Sequence, residues 1–327
     1  MVVGGRWCGR QGQWITWWIW ASLLTLIHIF LWRERPHTAQ ILTVDSNMIL
    51  MNYKLCVKKT CLRRNLRHPI LEADDMRVVR HLRRMMDPPP REPAGQLDPQ
   101  RPPWHTITSY NATETIIRAL LGNTVGGVFV EVGAQDGLWL SNTWWLEAAR
   151  GWRGLLLEAD PHNYLQLRSS PRASTSLPVC VTTSEAPRKE TLVRVRRSEG
   201  WNTTIGMHQR GRTMLVQYAT SADVYLGQTW NAICYPFLSV VAAAGFKRID
   251  LLMFDVAGGG FELVQEFMTA NEDFKNPYKV QVILYQDTSL VDEAQRARDA
   301  SELGYTHLPV SAAHFLLIHN SLNFVVG

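Results

Sequence analysis

The stretch Val128-Phe-Val-Glu131-Val-Gly133-Ala-Gln-Asp136-Gly137 constrains this chain more than any other. A tight apolar run reads as a buried strand, and it delivers an acid, then a glycine-bearing turn, then a segment (141–150) that predicts a helix with Ser141 as N-cap. In open α/β sheets ligands bind beyond the carboxyl ends of such strands, where the strand order switches. Gly133 and Gly137 let the backbone approach a ligand closely, with positive φ where required. The dinucleotide fingerprint G-x-G-x-x-G is absent, and no Lys-Ser/Thr follows, so neither a dinucleotide turn nor a phosphate-binding loop is expected. Glu131 at the strand tip would repel a pyrophosphate. It suits a cationic ligand portion, such as the amino group and sulfonium of S-adenosylmethionine.

A second acid closes the next predicted strand: Leu155–Leu157 leads into Glu158-Ala159-Asp160-Pro161. A carboxylate at that point can accept both hydroxyl hydrogens of a ribose. A third strand end repeats the pattern, with Asp250-Leu-Leu-Met-Phe-Asp255 followed by Val256-Ala257-Gly258-Gly259-Gly260. Further strands are expected at 177–181 and 280–285, with closing strands at 315–318 and 324–326. Helices are expected at 109–122, 237–244, 261–268 and 291–303. Strands alternating with helices predict a doubly wound, mostly parallel α/β sheet covered on both faces.

These residues carry a resemblance. From about Trp104 to the end, the chain resembles the FkbM-like methyltransferase family, and within it is most similar to the membrane-anchored animal Star group. The resemblance rests on Phe129–Gly137 followed by Ser141-Asn142-Thr143, on Gly151-Trp152-Arg-Gly-Leu-Leu-Leu-Glu158, on Cys234-Tyr-Pro-Phe-Leu, and on Gly304-Tyr305 leading to a final strand pair that ends at His319. It implies a class I methyltransferase-like, Rossmann-like fold. It also implies S-adenosylmethionine held by Glu131, Gly133, Ala134, Gln135, Asp136, Gly137, Asn142, Glu158 and Asp160, with Asp255 as the candidate catalytic residue. One departure matters: Ala257 stands where the family has the glutamate of Asp-Val-Glu-Gly. That removes a candidate general base, so methyl transfer is expected to be weak or absent.

Residues 14–32 (WITWWIWASLLTLIHIFLW) carry no formal charge. As a helix they span about 28 Å, close to the hydrocarbon core of a bilayer, and Trp14, Trp17, Trp18 and Trp32 suit its interfaces. An uncleaved anchor is read in preference to a signal peptide or a buried helix, because no convincing cleavage site follows. An anchor preceded by a 13-residue tail usually leaves the bulk of the chain lumenal, and the sequons at Asn111 and Asn202 are compatible with that. Residues 33–103 read as a stem. Leu71 to Met86 forms a short basic helix, and seven of the sixteen prolines lie between 88 and 103. The methyltransferase-like domain then occupies 104–327.

The formal net charge of +5 is unevenly placed. Residues 54–101 hold twelve Lys/Arg against six Asp/Glu, whereas 104–327 hold eighteen against twenty-one, so no nucleic-acid-binding face is expected on the globular part. The five cysteines show no zinc spacing, and no metal site is expected. Cys180 and Cys234 fall where a strand end and a following helix start approach, which leaves a disulfide between them open. His314 and His319 are expected to be packed or surface histidines. The reading is a single-pass endoplasmic reticulum or Golgi protein assisting export of membrane-bound cargo such as growth-factor precursors, as the Star resemblance implies. The alternatives are an active O-methyltransferase and a nucleoside- or glycan-binding pocket without catalysis.

Overall fold

The computed structural model describes residues 73–89, 108–195, 213–273, 278–287 and 292–322. The expected span 14–32, the Pro-rich stretch 90–103, Asn202 and the strand expected at 324–326 lie outside these residues. Among the described residues no helix is long and apolar enough to cross a membrane.

The apolar runs become the parallel strands of one sheet. β1 (Val128–Val132) pairs in parallel with β2 (Arg153–Leu157) on one side and with β8 (Arg248–Phe254) on the other. β3 (Thr175–Leu177) extends the sheet beyond β2, and β9 (Lys279–Gln286) beyond β8. Beyond β9, β11 (His314–His319) runs antiparallel and pairs with β10 (Tyr305–Pro309). The strand expected at 315–318 is therefore β11, but its hairpin partner precedes it in the chain. The seven-stranded order is β3-β2-β1-β8-β9-β11-β10. Counting these strands in chain order gives 3-2-1-4-5-7-6 with β11 alone reversed, the arrangement of a Rossmann-like methyltransferase fold.

Side-chain alternation sends Phe129, Leu156, Leu251, Met253 and Val282 to one face. There they meet Ile117 and Leu121 of α2 (Thr108–Leu121) and Trp145 and Leu146 of α3 (Trp144–Arg150). On the other face Phe254 meets Phe237 of α6 (Phe237–Ala244), which in turn meets Phe267 of α7 (Gly260–Asp273). Both contacts are edge-to-face, with 4.9 Å between ring centres, the geometry that aromatic quadrupoles favour. α8 (Glu293–Glu302) packs beside β10.

Four expectations need correction. The run 177–181 is not one strand. Leu177 ends β3, and Cys180–Thr182 forms β4 in a second sheet, because Pro178 between them has no N–H with which to continue the ladder. Helix α3 begins at Trp144 rather than Ser141; the Ser141 hydroxyl turns to Glu131 instead. A helix not expected from the sequence, α4 (Pro161–Ser169), follows Asp160. The Asp160 carboxylate caps it, accepting from His162 N at 2.8 Å.

Nor is the basic helix a free stem. α1 (Met76–Met85) buries Val78, Val79 and Leu82 and packs on α6. Arg83 donates to the carbonyls of Ala243 (3.0 Å) and Ala242 (3.2 Å). A cation there meets the negative end of the α6 dipole. Asp87 then bridges to Ser176 at the β3 edge, and Tyr164 donates to its carboxylate at 2.6 Å. The domain thus takes in residues that the sequence assigns to the stem.

The second sheet has the order β4-β7-β5-β6. It joins β4 to β5 (Arg188–Arg194), β6 (Thr213–Leu215) and β7 (Gln228–Pro236). The short helix α5 (Ser221–Leu226) precedes β7 and is closed by a capping box between Thr220 and Asp223.

Candidate functional site

A cavity of about 330 Å³ opens where β1, β2 and β8 end, at the point where the chain order reverses. Gly133, Gln135 and Asn142 from the glycine turn, Glu158 from the end of β2 and Asp255 from the end of β8 all line it. The second sheet forms its other wall, with Val181, Leu192 and Leu215 joining Ala159 and Val179.

The glycine turn is held in an unusual shape. Gln135 (φ 49°) and Leu140 (φ 56°) both adopt left-handed backbone. Such residues cost about 1–3 kcal/mol each and cluster at functional sites. Gln135 N donates to Glu158 at 2.7 Å, tying the turn to β2. Asp136 does not face the cavity. Its carboxylate accepts from Leu138 N (3.0 Å) and Trp139 N (2.8 Å) and shapes the turn from within.

Both glycines of this turn are required by the protein itself. A side chain at Gly133 (φ 90°) would collide with the Asp255 carbonyl, so this glycine lets the tips of β1 and β8 approach. One at Gly137 (φ 80°) would meet Leu167 at 2.5 Å and Arg172 at 3.2 Å. The expectation that Gly137 makes room for a ligand is thus replaced by one of internal packing.

Glu158 is 4% exposed; one of its oxygens accepts from Gln135 N and the other from Asp160 N, both at 2.7 Å, and Ala159 N also donates to the carboxylate. A carboxylate oxygen has two lone pairs, so acceptor capacity remains toward the cavity. Burial pushes its pKa up to about 7, against the pull of those N–H groups. Asn142 is 7% exposed, and its buried Oδ1 has no hydrogen-bond partner among the described residues. An orphaned acceptor of this kind in a cavity wall fits a ligand N–H donor.

The other expected ligand residues are engaged elsewhere. Glu131 is 3% exposed and absent from the cavity wall. Its carboxylate accepts from Ser141 Oγ at 3.1 Å and from Thr143 Oγ1, and lies 3.8 Å from Arg172. Burial raises its pKa, while Arg172 opposes that. Ala134 is buried in the core below the turn. Asp160 is fully buried, paired with Arg194 of β5 and accepting from Thr213 Oγ1 of β6 at 2.9 Å, so it anchors the second sheet to the tip of β2. In the sequon at Asn111, Thr113 is 2% exposed within α2 and belongs to the cavity wall.

Cys180 and Cys234 are joined in a disulfide, with Cα atoms 4.6 Å apart. They are register partners on β4 and β7, and Cys180 lies in the cavity wall. His314, read from the sequence as a packed or surface residue, also reaches the cavity, with its Nδ1 3.0 Å from Ser311 Oγ. On the β8 side Ala257 lines the cavity beside Tyr218, a residue that no sequence motif singles out. The Tyr218 hydroxyl donates to Glu262, and burial together with that carboxylate pushes its pKa up to about 12. Among the described residues no cluster of side chains is arranged to hold a metal ion.

No family model matches the chain, and no curated relative is matched. Among solved structures it is similar to the METTL16 MTase domain, at 12% identity and a TM-score of 0.33 over 63% of this chain and 65% of that one. It is similar to the N-terminal domain of human METTL16 in complex with SAH, at 12% identity and a TM-score of 0.31 over 65% of this chain and 70% of that one. It is also similar to the methyltransferase FkbM from Methylobacillus flagellatus KT, at 12% identity and a TM-score of 0.33 over 68% of this chain. The chain spans half the length of that FkbM protein. At these scores the likenesses add nothing to what the strand order establishes. A Rossmann-like methyltransferase fold stands on its sheet.

Proposed function

We propose that this domain binds an S-adenosylmethionine-type ligand, that its methyl transfer is weak or absent, and that it serves a membrane-anchored secretory-pathway chain in the export of membrane-bound cargo such as growth-factor precursors. The observation that carries the ligand reading is the pairing of Glu158, with acceptor capacity left at the end of β2, and the orphaned Asn142 Oδ1 in the wall of the same cavity. Glu158 would accept from the ribose hydroxyls. Ala159, Val179, Val181, Leu192 and Leu215 offer an apolar wall to the base, and Asn142 with Asp255 would receive the cationic amino-acid end. When bound, the group supplies a methyl carbon made electrophilic by its sulfonium. On the acceptor side Ala257 has only a methyl group where the resembling family has a carboxylate, which removes one candidate for moving the acceptor's proton.

The cargo role rests on the Star resemblance, and two features support a lumenal domain. One is the Cys180–Cys234 disulfide, a bond that persists in oxidising compartments. The other is the expected N-terminal anchor. Calorimetry of the full-length protein in detergent tests the ligand reading: S-adenosylhomocysteine should bind, and Glu158→Gln should weaken it at least tenfold. Absence of binding in the unmodified protein removes the ligand reading and leaves the cleft as a partner surface. A second reading, an active O-methyltransferase, is favoured by Tyr218, whose hydroxyl sits on Glu262 at the cavity next to Ala257.

A further inference from the structure

The acid of the glycine turn motif does not line the cavity; it accepts from two hydroxyls and lies 3.8 Å from a buried cation, Arg172. Arg172 lies between α4 and β3 and is 1% exposed. Its guanidinium Nη1 donates to the Gly137 carbonyl (2.5 Å) and to Ser141 Oγ (3.1 Å), its Nη2 to Thr143 Oγ1 (2.8 Å), and its Nε to Glu147 (3.2 Å). Those four partners run from the middle of the turn to the first turn of α3. Ser141 and Thr143 in turn donate to Glu131. The turn also carries Gln135 and Asn142, two of the groups that line the cavity.

We propose that Arg172 and Glu131 are positioning residues for the ligand-facing turn. The buried guanidinium fixes residues 137–143, and Glu131 serves the ligand through Arg172, Ser141 and Thr143 rather than by touching it. A planar fork with five donors suits a site that must hold a carbonyl, two hydroxyls and a carboxylate at once, and a lysine ammonium cannot reproduce that geometry. A buried carboxylate already committed to two hydroxyls and an adjacent guanidinium has no reason to select a ligand ammonium. The inference rests on the proposed ligand only in its binding arm.

The test compares the full-length protein with Glu131→Gln, Arg172→Gln and Arg172→Lys in detergent, by two measurements. The first is calorimetric affinity for S-adenosylhomocysteine and for 5′-methylthioadenosine, which lacks the amino-acid group. Glu131→Gln and Arg172→Gln should weaken both ligands by the same factor, about tenfold or more, and Arg172→Lys should not restore them. The second is amide hydrogen exchange without ligand, in which Arg172→Gln should speed exchange of 137–143 while β8 and β9 remain protected. Selective loss of S-adenosylhomocysteine in Glu131→Gln, with 5′-methylthioadenosine unaffected, would show direct contact with the amino group and overturn the proposal. Unchanged exchange in 137–143 on removal of Arg172 would overturn it too. So would exchange accelerated across the whole sheet, the mark of a purely structural arginine. Should Arg172→Gln fail to fold, Ser141→Ala, which removes one link of the same network, is the variant to compare. If the unmodified protein binds neither ligand, the proposed function fails by itself, and the exchange arm still decides the positioning claim.

Discussion

Cys180 and Cys234 are direct register partners on parallel neighbouring strands, so their disulfide crosses the sheet that walls the ligand cleft. β4 is a three-residue edge strand entered soon after Pro178, and its pairing with β7 has little else to secure it. The bond closes a sequence separation of 54 residues. On a chain-entropy account a loop of that size stabilises by about 4 kcal/mol. The double replacement Cys180→Ala with Cys234→Ala should lower unfolding stability by a similar amount in denaturant titration. Reduction of the unmodified protein should do the same, and an unchanged midpoint would show that the strand pairing holds without the bond.

The docking of α1 makes a separate prediction. Leu82 is fully buried between α1 and the domain. Leu82→Ala therefore leaves a cavity and should cost about 2–5 kcal/mol. Arg84 is exposed on the same helix, one turn from Arg80. Surface substitutions of this kind change stability little, so Arg84→Ala should shift it by no more than about 0.5 kcal/mol. If Leu82→Ala is equally silent in thermal unfolding, the helix is a tether and not part of the fold.

Much of this architecture is legible in the residues. Val128–Val132 announces β1 because a short, mostly apolar run closed by Gly133 reads as a buried strand with its turn. Leu251–Phe254 and Val280–Tyr285 read as buried strands from their apolar content alone. Asp160-Pro161 also encodes the start of α4, as a capping acid followed by proline at the first helical position. That signal is easily overlooked, because the acid also fits a ligand-binding strand end. The second sheet is different. β5 (RKETLVR) and β7 (QTWNAICYP) are largely polar or mixed, since only part of each is buried. No periodicity separates such strands from loops. The role of Glu131 is unreadable for another reason. Its cation, Arg172, comes from a Ser-Pro-Arg loop whose sequence has no pattern that would mark it as core. Local sequence identifies the acid at a strand tip, but only the tertiary structure says which cation it meets.

Glu158 links ligand binding to pH. Its folded-state pKa of about 7 lies above the ordinary 4.5, so the folded protein holds the proton more tightly than the unfolded chain. The stability this confers is fully present below pH 4.5 and is lost as pH rises through about 7. The effect is on the order of 3 kcal/mol. Ribose hydroxyls need the ionised form as acceptor, so affinity for S-adenosylhomocysteine should move the other way and rise between about pH 6 and about pH 8. Glu158→Gln should flatten the binding profile in calorimetry and only reduce the pH dependence of thermal unfolding, because burial also raises the pKa of Glu266 to about 7. A binding profile that keeps its pH dependence in Glu158→Gln would assign the titration to another group.

The last prediction concerns catalysis: methyl transfer by the unmodified protein should be weak or absent. Ala257 is 9% exposed in the cavity wall, next to the turn where Gly258 (φ 94°) and Gly259 (φ 69°) accommodate the Tyr218 ring. A side chain at Gly259 would collide with the Tyr218 hydroxyl, so this ring occupies the space beside the position where the resembling family places its glutamate. A general acid or base contributes about 10²–10⁴-fold in rate, enough for its absence to erase detectable turnover while the fold and the ligand-facing residues remain. Transfer of labelled methyl from S-adenosylmethionine to secretory-pathway glycans and proteins measures this directly. Ala257→Glu restores the carboxylate in a cavity wall that already holds Asp255, and it should gain activity over the parent. A silent parent and an active Ala257→Glu variant support a degenerate enzyme. Turnover by the unmodified protein would make Tyr218 and Glu262 the working pair, and Tyr218→Phe should then abolish it.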